Sequence, residues 1–333
     1  MNAGTTTAHK PLIALSRRFP DASLAILREL GEVRMPAERE EGGDLAPLFE
    51  HADCVLVIPG DRIDAKLLAA CTRLRLVITI SAGFDHIDLQ ACTARGIRVA
   101  HTPGAVCAAT ADMAFGLLLA ASRRIVEADA FVRAGRWVGQ LSPLPGQDVH
   151  HRRMGIIGLG RIGALLARRG RGFDMDVFYH SRRRVSEQEE AALGVRWLPL
   201  DELLAQSDAV MVQVPYGPAT HHLVGTRELS LMKKTAVLVN TARGGVVDDA
   251  ALAAALREGR IAAAGLDVTE GEPKVHPELL TLPNVVLTPH LGAATHETHQ
   301  QMTREAFQNL VGALRGAPLA NCLNPEAQAP AQS

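Results

Sequence analysis

Aromatic residues are scarce: two Trp, two Tyr and eight Phe make up 4% of the 333 residues. The core must therefore be aliphatic and alanine-rich, which suits an α/β protein. Net charge is nearly absent as well. At −1 it creates no long-range field to gather nucleic acid or anionic lipid, so neither is an expected partner. The five cysteines (Cys54, Cys71, Cys92, Cys107 and Cys322) show no CxxC spacing. This argues against a disulfide framework and a zinc pattern, and fits reduced structural thiols in a cytoplasm. The longest apolar stretch, Ala105 to Ala121, is interrupted by Thr110 and Asp112, so it reads as a buried helix rather than a membrane span. Met1 to Lys10 lacks a basic segment followed by an apolar core, and no secretory signal is expected.

What is present is 47% hydrophobic residues in a chain long enough for two domains, each with a sizeable core. The most informative stretch is Met154-Gly-Ile-Ile-Gly-Leu-Gly-Arg-Ile-Gly163. A short apolar run flows into Gly158, Gly160 and Gly163 and then into a helix-forming Ala164-Leu165-Leu166-Ala167. The first glycine permits a tight turn, the second lets backbone approach a pyrophosphate, and the third lets the helix pack on the sheet. The helix-start amides around Arg161 and Ile162 would then face the anion.

A second strand, Met175 to Tyr179, should end near an acid if a ribose 2′-hydroxyl is recognised. None is present. Tyr179-His180-Ser181-Arg182-Arg183-Arg184 offers instead a hydroxyl and guanidinium forks suited to a 2′-phosphate. NADP(H) is the expected cofactor, with NAD(H) possible, and Ser181 and Arg182 are the expected contacts.

Around this motif the chain alternates strands and helices. Leu12 to Leu15, Cys54 to Ile58 and Leu74 to Ile80 read as buried strands separated by helical runs at Ala22 to Leu30 and Asp64 to Cys71. In parallel sheets of this kind ligands gather beyond the carboxyl ends of strands, which makes Val57, Ile58 and Ser81 to Gly83 pocket candidates. A long helix is predicted from Ala108 to Ala134, with apolar residues nearly all round in its first half. Later strands are expected at Asp208 to Val214, Ala236 to Asn240, Ala262 to Val268 and Val285 to Thr288, and a last helix at Thr295 to Leu314. The Ala/Gln/Pro-rich tail after Asn324 is predicted to be disordered.

Three of these later strands run into ionisable residues: Asn240 into Thr241-Ala242-Arg243, Leu266-Asp267 into Glu270 and Glu272, and Thr288-Pro289 into His290. Their shared strand-end placement makes a hydride-transfer site. Arg243 can grip a carboxylate and polarise the adjoining 2-oxo carbonyl. His290 can supply the proton, and Glu272 can fix its tautomer. The strand ends Val214-Pro215 and Thr241-Ala242 are expected beside the cofactor. No metal site is expected: His150-His151, His221-His222 and His296-Glu-Thr-His299 lack a partner carboxylate at suitable spacing.

At this point the chain resembles the D-isomer-specific 2-hydroxyacid dehydrogenases over nearly its whole length. The resemblance is carried by Ser81-Ala-Gly-Phe-Asp-His-Ile-Asp88, Ala109 to Asp112, Gly158 to Gly163, Asn240 to Asp248, Gly265 to Pro273 and Pro289 to Thr295. It implies Arg243, Glu272 and His290 as the catalytic set, and substrate carboxylate held by the amides of Ala82 and Gly83. It also implies Thr110 and Gly292 near the cofactor and Asp267 positioning the nicotinamide. The implied fold is two Rossmann-like parallel-sheet domains, a cofactor domain (104–290) being inserted into a discontinuous substrate domain (1–103, completed by the helix in 291–333). A homodimer is implied too.

Asp148 to His151, Ala294 to Thr298 and Asn321 to Pro325 are similar to the glyoxylate, hydroxypyruvate and 2-ketogluconate reductase branch, which often prefers NADPH. Two departures stand out. Val214-Pro215-Tyr216-Gly217 replaces the usual leucine- and threonine-containing turn, and Gln140-Leu141 stands where relatives can carry a second tryptophan. The expected activity is NADPH-preferring reduction of small 2-oxo acids to D-2-hydroxy acids. The alternatives are a dehydrogenase for D-lactate or 3-phosphoglycerate, and a non-catalytic NAD(H)-sensing protein resembling the C-terminal-binding-protein corepressors.

Overall fold

The computed structural model describes residues 10–37, 43–139 and 144–327; Gln140 and Leu141, and residues 328–333 of the tail, lie outside them. The chain divides into two compact units, residues 1–106 with 296–333, and residues 107–295.

The first unit opens with β1 (Leu12–Leu15), α1 (Asp21–Leu30), β2 (Glu32–Arg34), α2 (Ala46–Phe49) and β3 (Cys54–Val57), then α3 (Ala65–Ala70), β4 (Leu76–Thr79), α4 (Leu89–Ala94) and β5 (Arg98–Ala100). Its sheet has the order β2-β1-β3-β4-β5 and every pairing is parallel. Every residue of β1, β3 and β4 is buried. That is why these strands read as continuous apolar runs rather than as alternations. The short helices start on aspartates: Asp64 caps α3 through the amide of Leu67, and Asp88 caps α4 through that of Ala91. Burial pushes the thiols of Cys54 and Cys92 up to about 12, as befits structural cysteines.

The second unit begins with α5 (Cys107–Ser122) and α6 (Ile125–Arg133). It continues through β6 (Arg153–Ile157), α7 (Arg161–Gly172), β7 (Asp176–His180), α8 (Glu187–Leu193), β8 (Val195–Trp197), α9 (Leu200–Gln206) and β9 (Ala209–Val212). It ends with α10 (Thr226–Leu231), β10 (Val237–Asn240), α11 (Asp249–Arg257), β11 (Ala263–Leu266) and β12 (Val285–Leu287). The sheet is all parallel, in the order β12-β11-β10-β9-β6-β7-β8. Successive residues feed opposite faces. Met154, Met211 and Val239 pack with Leu117 and Leu118 of α5 and Leu166 of α7, whereas Val210, Val212 and Leu238 pack with Leu203 of α9, Leu229 of α10 and Leu252 of α11.

The predicted single helix from Ala108 to Ala134 is in fact two. The Ser122 carbonyl accepts the amide of Gln147 at 2.8 Å, so it does not propagate the helix. Arg124 then takes the left-handed conformation (φ 54°) and grips Glu127 with two hydrogen bonds of 2.8 Å, starting α6 in a new direction. α5 is buried along most of its length, but no residue of α6 is fully buried.

After β12 the chain returns to the first unit as α12 (His296–Leu314), which packs against α1 and β4. The segment that follows is anchored by Asn324, which is fully buried. Its Oδ1 accepts the Val99 amide at 2.8 Å, while its Nδ2 donates to the Ile97 carbonyl and to Thr93 Oγ1, both at 2.9 Å. Asn324→Ala would strand two buried backbone groups beside β5. A loss of roughly 2–4 kcal/mol is expected, read as a lower midpoint in urea unfolding; an unchanged midpoint would contradict this anchoring role.

Candidate active site

In the second unit the chain leaves β6, forms β7 and β8 on one side, and crosses over to form β9 on the other. The crevice beyond the ends of β6 and β9 is therefore the topological switch point. The glycine turn lies there. Gly158 has φ +102°, and a side chain on it would run into the Gln213 carbonyl and the Val214 side chain after β9. A side chain on Gly163 would strike the Gly158 carbonyl. Gly160 differs: among the described residues nothing lies within 4 Å of where its Cβ would be, and it opens α7 with no side-chain cap and no acid in the first turn. A bare helix start in open space fits the diphosphate of a dinucleotide, with Arg161, Ile162 and Gly163 supplying amides.

At the end of β7 the three arginines separate into different roles. Arg184 is committed to Glu190 by two hydrogen bonds of 2.7 Å, and Glu190 also accepts from the buried Tyr179 hydroxyl at 2.8 Å. Arg182 and Arg183 are exposed, and their guanidinium groups make no hydrogen bond or ion pair among the described residues. Ser181 Oγ donates to the Arg183 carbonyl at 2.7 Å, closing the turn that presents them.

The ionisable strand ends converge on one another. His290 Nδ1 lies 2.8 Å from Glu272 Oε2, and the Thr269 amide holds the other Glu272 oxygen at 3.1 Å. The hydrogen bond to Glu272 raises the pKa of His290, helped by the Glu272 charge and opposed by burial and by Arg243. Burial alone would raise Glu272. The His290 hydrogen bond and charge, the Thr269 amide and the Arg243 charge together take it below its ordinary value. The shared proton accordingly resides on the imidazole.

Asp267, at 2% exposure, holds the segment carrying His290. Its carboxyl accepts Thr288 Oγ1 at 2.6 Å and the amides of Leu291 and Gly292 at 2.7 Å, and its carbonyl accepts the His290 amide at 2.9 Å. These contacts hold His290 at φ 56°, a conformation uncommon for any residue but glycine. A cavity of about 290 Å³ lined by Asp267, Thr269, Glu272, Leu287, Thr288 and His290 lies alongside. Arg243 is tied down locally, donating to the Ala242 carbonyl at 2.7 Å, and its own carbonyl accepts from Asn240 Nδ2 at 3.0 Å.

Residues 115–292 match the D-isomer specific 2-hydroxyacid dehydrogenase NAD binding domain. The chain is 43% identical to a glyoxylate reductase of Thermococcus onnurineus over 95% of its length and 97% of that relative. It is 43% identical to glyoxylate/hydroxypyruvate reductase B of Cronobacter sakazakii, covering 96% and 99%. The chain belongs to the D-isomer-specific 2-hydroxyacid dehydrogenase family. It is an NAD(P)-dependent oxidoreductase. Among solved structures it is similar to the NADPH-dependent glyoxylate/hydroxypyruvate reductase of Sinorhizobium meliloti in complex with NADP and malonate. The TM-score is 0.83 at 32% identity, over 97% of this chain and 99% of that one.

The remaining expected positions of this dehydrogenase fall into two groups. In the second unit, a side chain on Gly292 would meet Asp267 and Thr110 within 3.5 Å, so those three are neighbours. Thr241 Oγ1 accepts from Gln213 at 2.6 Å, joining the ends of β9 and β10; the Pro215 carbonyl accepts from Thr220 at 2.7 Å. In the first unit, β3 ends at Val57, with Ile58 following it, beside the Ser81–Gly83 turn after β4, because the Ile80 amide donates to the Val57 carbonyl at 2.9 Å. Ser81 Oγ closes that turn onto the Gly83 carbonyl at 2.6 Å, and His101 Nδ1 meets the Ala82 carbonyl at 2.8 Å.

Sequence reasoning overlooked Gln213 and Asp249, the latter a buried acid that accepts the Glu270 amide at 2.9 Å. It also left His221-His222 without a carboxylate, and the fold brings up Glu270 from 48 residues away. No local spacing signals such a pairing. Among the described residues no helix is long and apolar enough to cross a membrane.

The glycines yield a paired prediction. Gly160→Ala has room for its methyl and is expected to shift the thermal midpoint by only a few degrees, yet to weaken dinucleotide binding about tenfold or more, 1.4 kcal/mol. Gly163→Ala should lower the midpoint first. Calorimetric melting with cofactor titration separates the two, and normal cofactor affinity in Gly160→Ala would contradict the diphosphate assignment.

Proposed function

We propose that the protein is an NADPH-preferring reductase of small 2-oxo acids, among them glyoxylate, hydroxypyruvate and 2-ketogluconate, giving D-2-hydroxy acids where the product is chiral. The 2.8 Å hydrogen bond between His290 and Glu272 carries this reading, because it makes His290 an acid that keeps its proton to higher pH. The names of the Thermococcus and Cronobacter relatives support the substrate class.

When bound, the nicotinamide cofactor supplies the hydride. With Nδ1 facing Glu272, His290 offers Nε2 to the substrate and gives its proton to the oxygen as the alkoxide develops. In oxidation the neutral imidazole takes the proton back. Reduction needs imidazolium, so it is supported below the raised pKa of His290 and fades as pH climbs through it. Arg243 grips the carboxylate and polarises the carbonyl, its planar fork matching two oxygens at once. Glu272 acts through His290 by keeping Nδ1 protonated. The amides of Ala82 and Gly83, with Val57 and Ile58, are assigned to the substrate by the family resemblance, as Thr110, Asp267 and Gly292 are to the nicotinamide half of the cofactor.

Exposed Arg182, presented by the Ser181 turn, supports recognition of a 2′-phosphate. The NADPH-dependent Sinorhizobium reductase supports the same preference. Apolar Ile125, Val126 and Val132 on α6, with Trp137 and Val138 after it, are exposed, which supports a homodimer; five free thiols, of which Cys54, Cys71 and Cys92 are buried, support a cytoplasmic location.

The test is the consumption of NADPH and NADH, side by side, with glyoxylate, hydroxypyruvate and 2-ketogluconate. NADPH is expected to be used faster at low cofactor concentration. Arg182→Ala should raise the KM for NADPH roughly 10- to 100-fold through loss of a charge-assisted contact, leaving that for NADH nearly unchanged. Wild-type preference for NADH would overturn the cofactor assignment, and absence of turnover with either would overturn the reductase reading.

A further inference from the structure

Among the described residues the reaction leaves one cluster of ligand-type side chains unused. His221 and His222 lie between β9 and α10, and Glu270 lies in the turn after β11; a ring nitrogen of each histidine and a Glu270 oxygen all sit within 4.8 Å of one another. Both segments are anchored through backbone. The His222 amide donates to the Gly245 carbonyl at 2.8 Å, Val224 bridges to Val247, and the Glu270 amide is held by Asp249 at 2.9 Å.

An ion pair between His222 Nε2 and Glu270, at 3.1 Å, would account for those two residues alone. It leaves His221 unexplained. The His221 ring stacks on His222 with centroids 3.9 Å apart and planes inclined by 25°, so the two imidazoles present neighbouring edges. Each also has an oxygen opposite Nδ1: the Tyr216 hydroxyl is 3.3 Å from that of His221, and Asp248 Oδ2 is 3.6 Å from that of His222. Metal-ligating histidines characteristically have such an outer partner, which fixes the tautomer and aims the other nitrogen at the metal.

We propose that His221, His222 and Glu270 form a binding site for a divalent transition-metal ion, Zn2+ foremost, with the two Nε2 atoms and a Glu270 oxygen as ligands. Two imidazoles and a carboxylate are a zinc donor set, and a fourth position is left for water. Binding would require the exposed His221 and Glu270 side chains to rotate so that the donors, now within 4.8 Å of one another, each reach about 2.0–2.2 Å from a shared ion. Cu2+ and Ni2+ suit the same nitrogen-rich set. Tyr216, hydrogen-bonded to His221, and Asp248, at ion-pair range from His222, would serve as the outer partners of the two rings. Glu270 shares its turn with Glu272, so the ion would sit on the same short segment that orients His290.

Isothermal titration calorimetry of the chelator-treated full chain with Zn2+ alone tests the site without any assay of turnover. One ion per chain is expected. His221→Ala and Glu270→Gln should each weaken binding by at least an order of magnitude by removing a ligand. Asp248→Asn, which keeps the cap on α11, should weaken it about 10- to 100-fold through the outer partner. Thermal midpoints in chelator should match the wild type, showing that the variants fold. Sub-stoichiometric binding by the wild type, or undiminished affinity in both His221→Ala and Glu270→Gln, would overturn the proposal.

Discussion

The catalytic centre proposed for this protein depends on a single hydrogen bond, from the imidazole of His290 to the carboxylate of Glu272. Alone, a half-exposed histidine at a strand end would titrate near neutrality and rotate freely. Paired with Glu272, it has one nitrogen fixed, one nitrogen offered outward, and a proton held more tightly than burial and Arg243 would otherwise allow. Asp267 makes this pairing possible. It spends its carboxyl on Thr288 and on the amides of Leu291 and Gly292, and its carbonyl on the His290 amide, so an uncommon backbone conformation becomes the stable one.

The sheet places these groups. A seven-stranded parallel sheet buried on both faces ends all its strands at one edge, so Thr241 to Arg243, Asp267 to Glu272 and His290 emerge together although they are far apart in sequence. The glycine turn emerges from that edge as well, at the switch between β6 and β9. Its three glycines perform distinct jobs: a left-handed turn at Gly158, an open approach at Gly160 and close helix packing at Gly163.

The parallel α/β class, the glycine turn and the strand-end placement of Arg243, Glu272 and His290 were legible because apolar runs and the residues that follow them are local signals. Asp267 is different. The expectation that it lies near the nicotinamide rests on family likeness alone, and its grip on Leu291 and Gly292 depends on the pairing of β11 with β12, which no local pattern encodes. The break at Arg124 was hidden for a similar reason: it is the Gln147 amide, 25 residues beyond Ser122, that takes the carbonyl the helix would have used. The 48-residue link from His222 to Glu270 belongs with these. The fate of the three arginines after Ser181 was half visible, since a basic turn could be read but not the capture of Arg184 by Glu190.

The most direct test is the pH dependence of kcat/KM for 2-oxo acid reduction by the wild type and by Glu272→Gln. Replacing the carboxylate by an amide removes the hydrogen bond and charge that raise the pKa of His290, leaving burial and Arg243 to lower it. The alkaline limb should move to lower pH in the variant. A limb at the same pH in both proteins would contradict the claim that Glu272 sets the acid strength of His290.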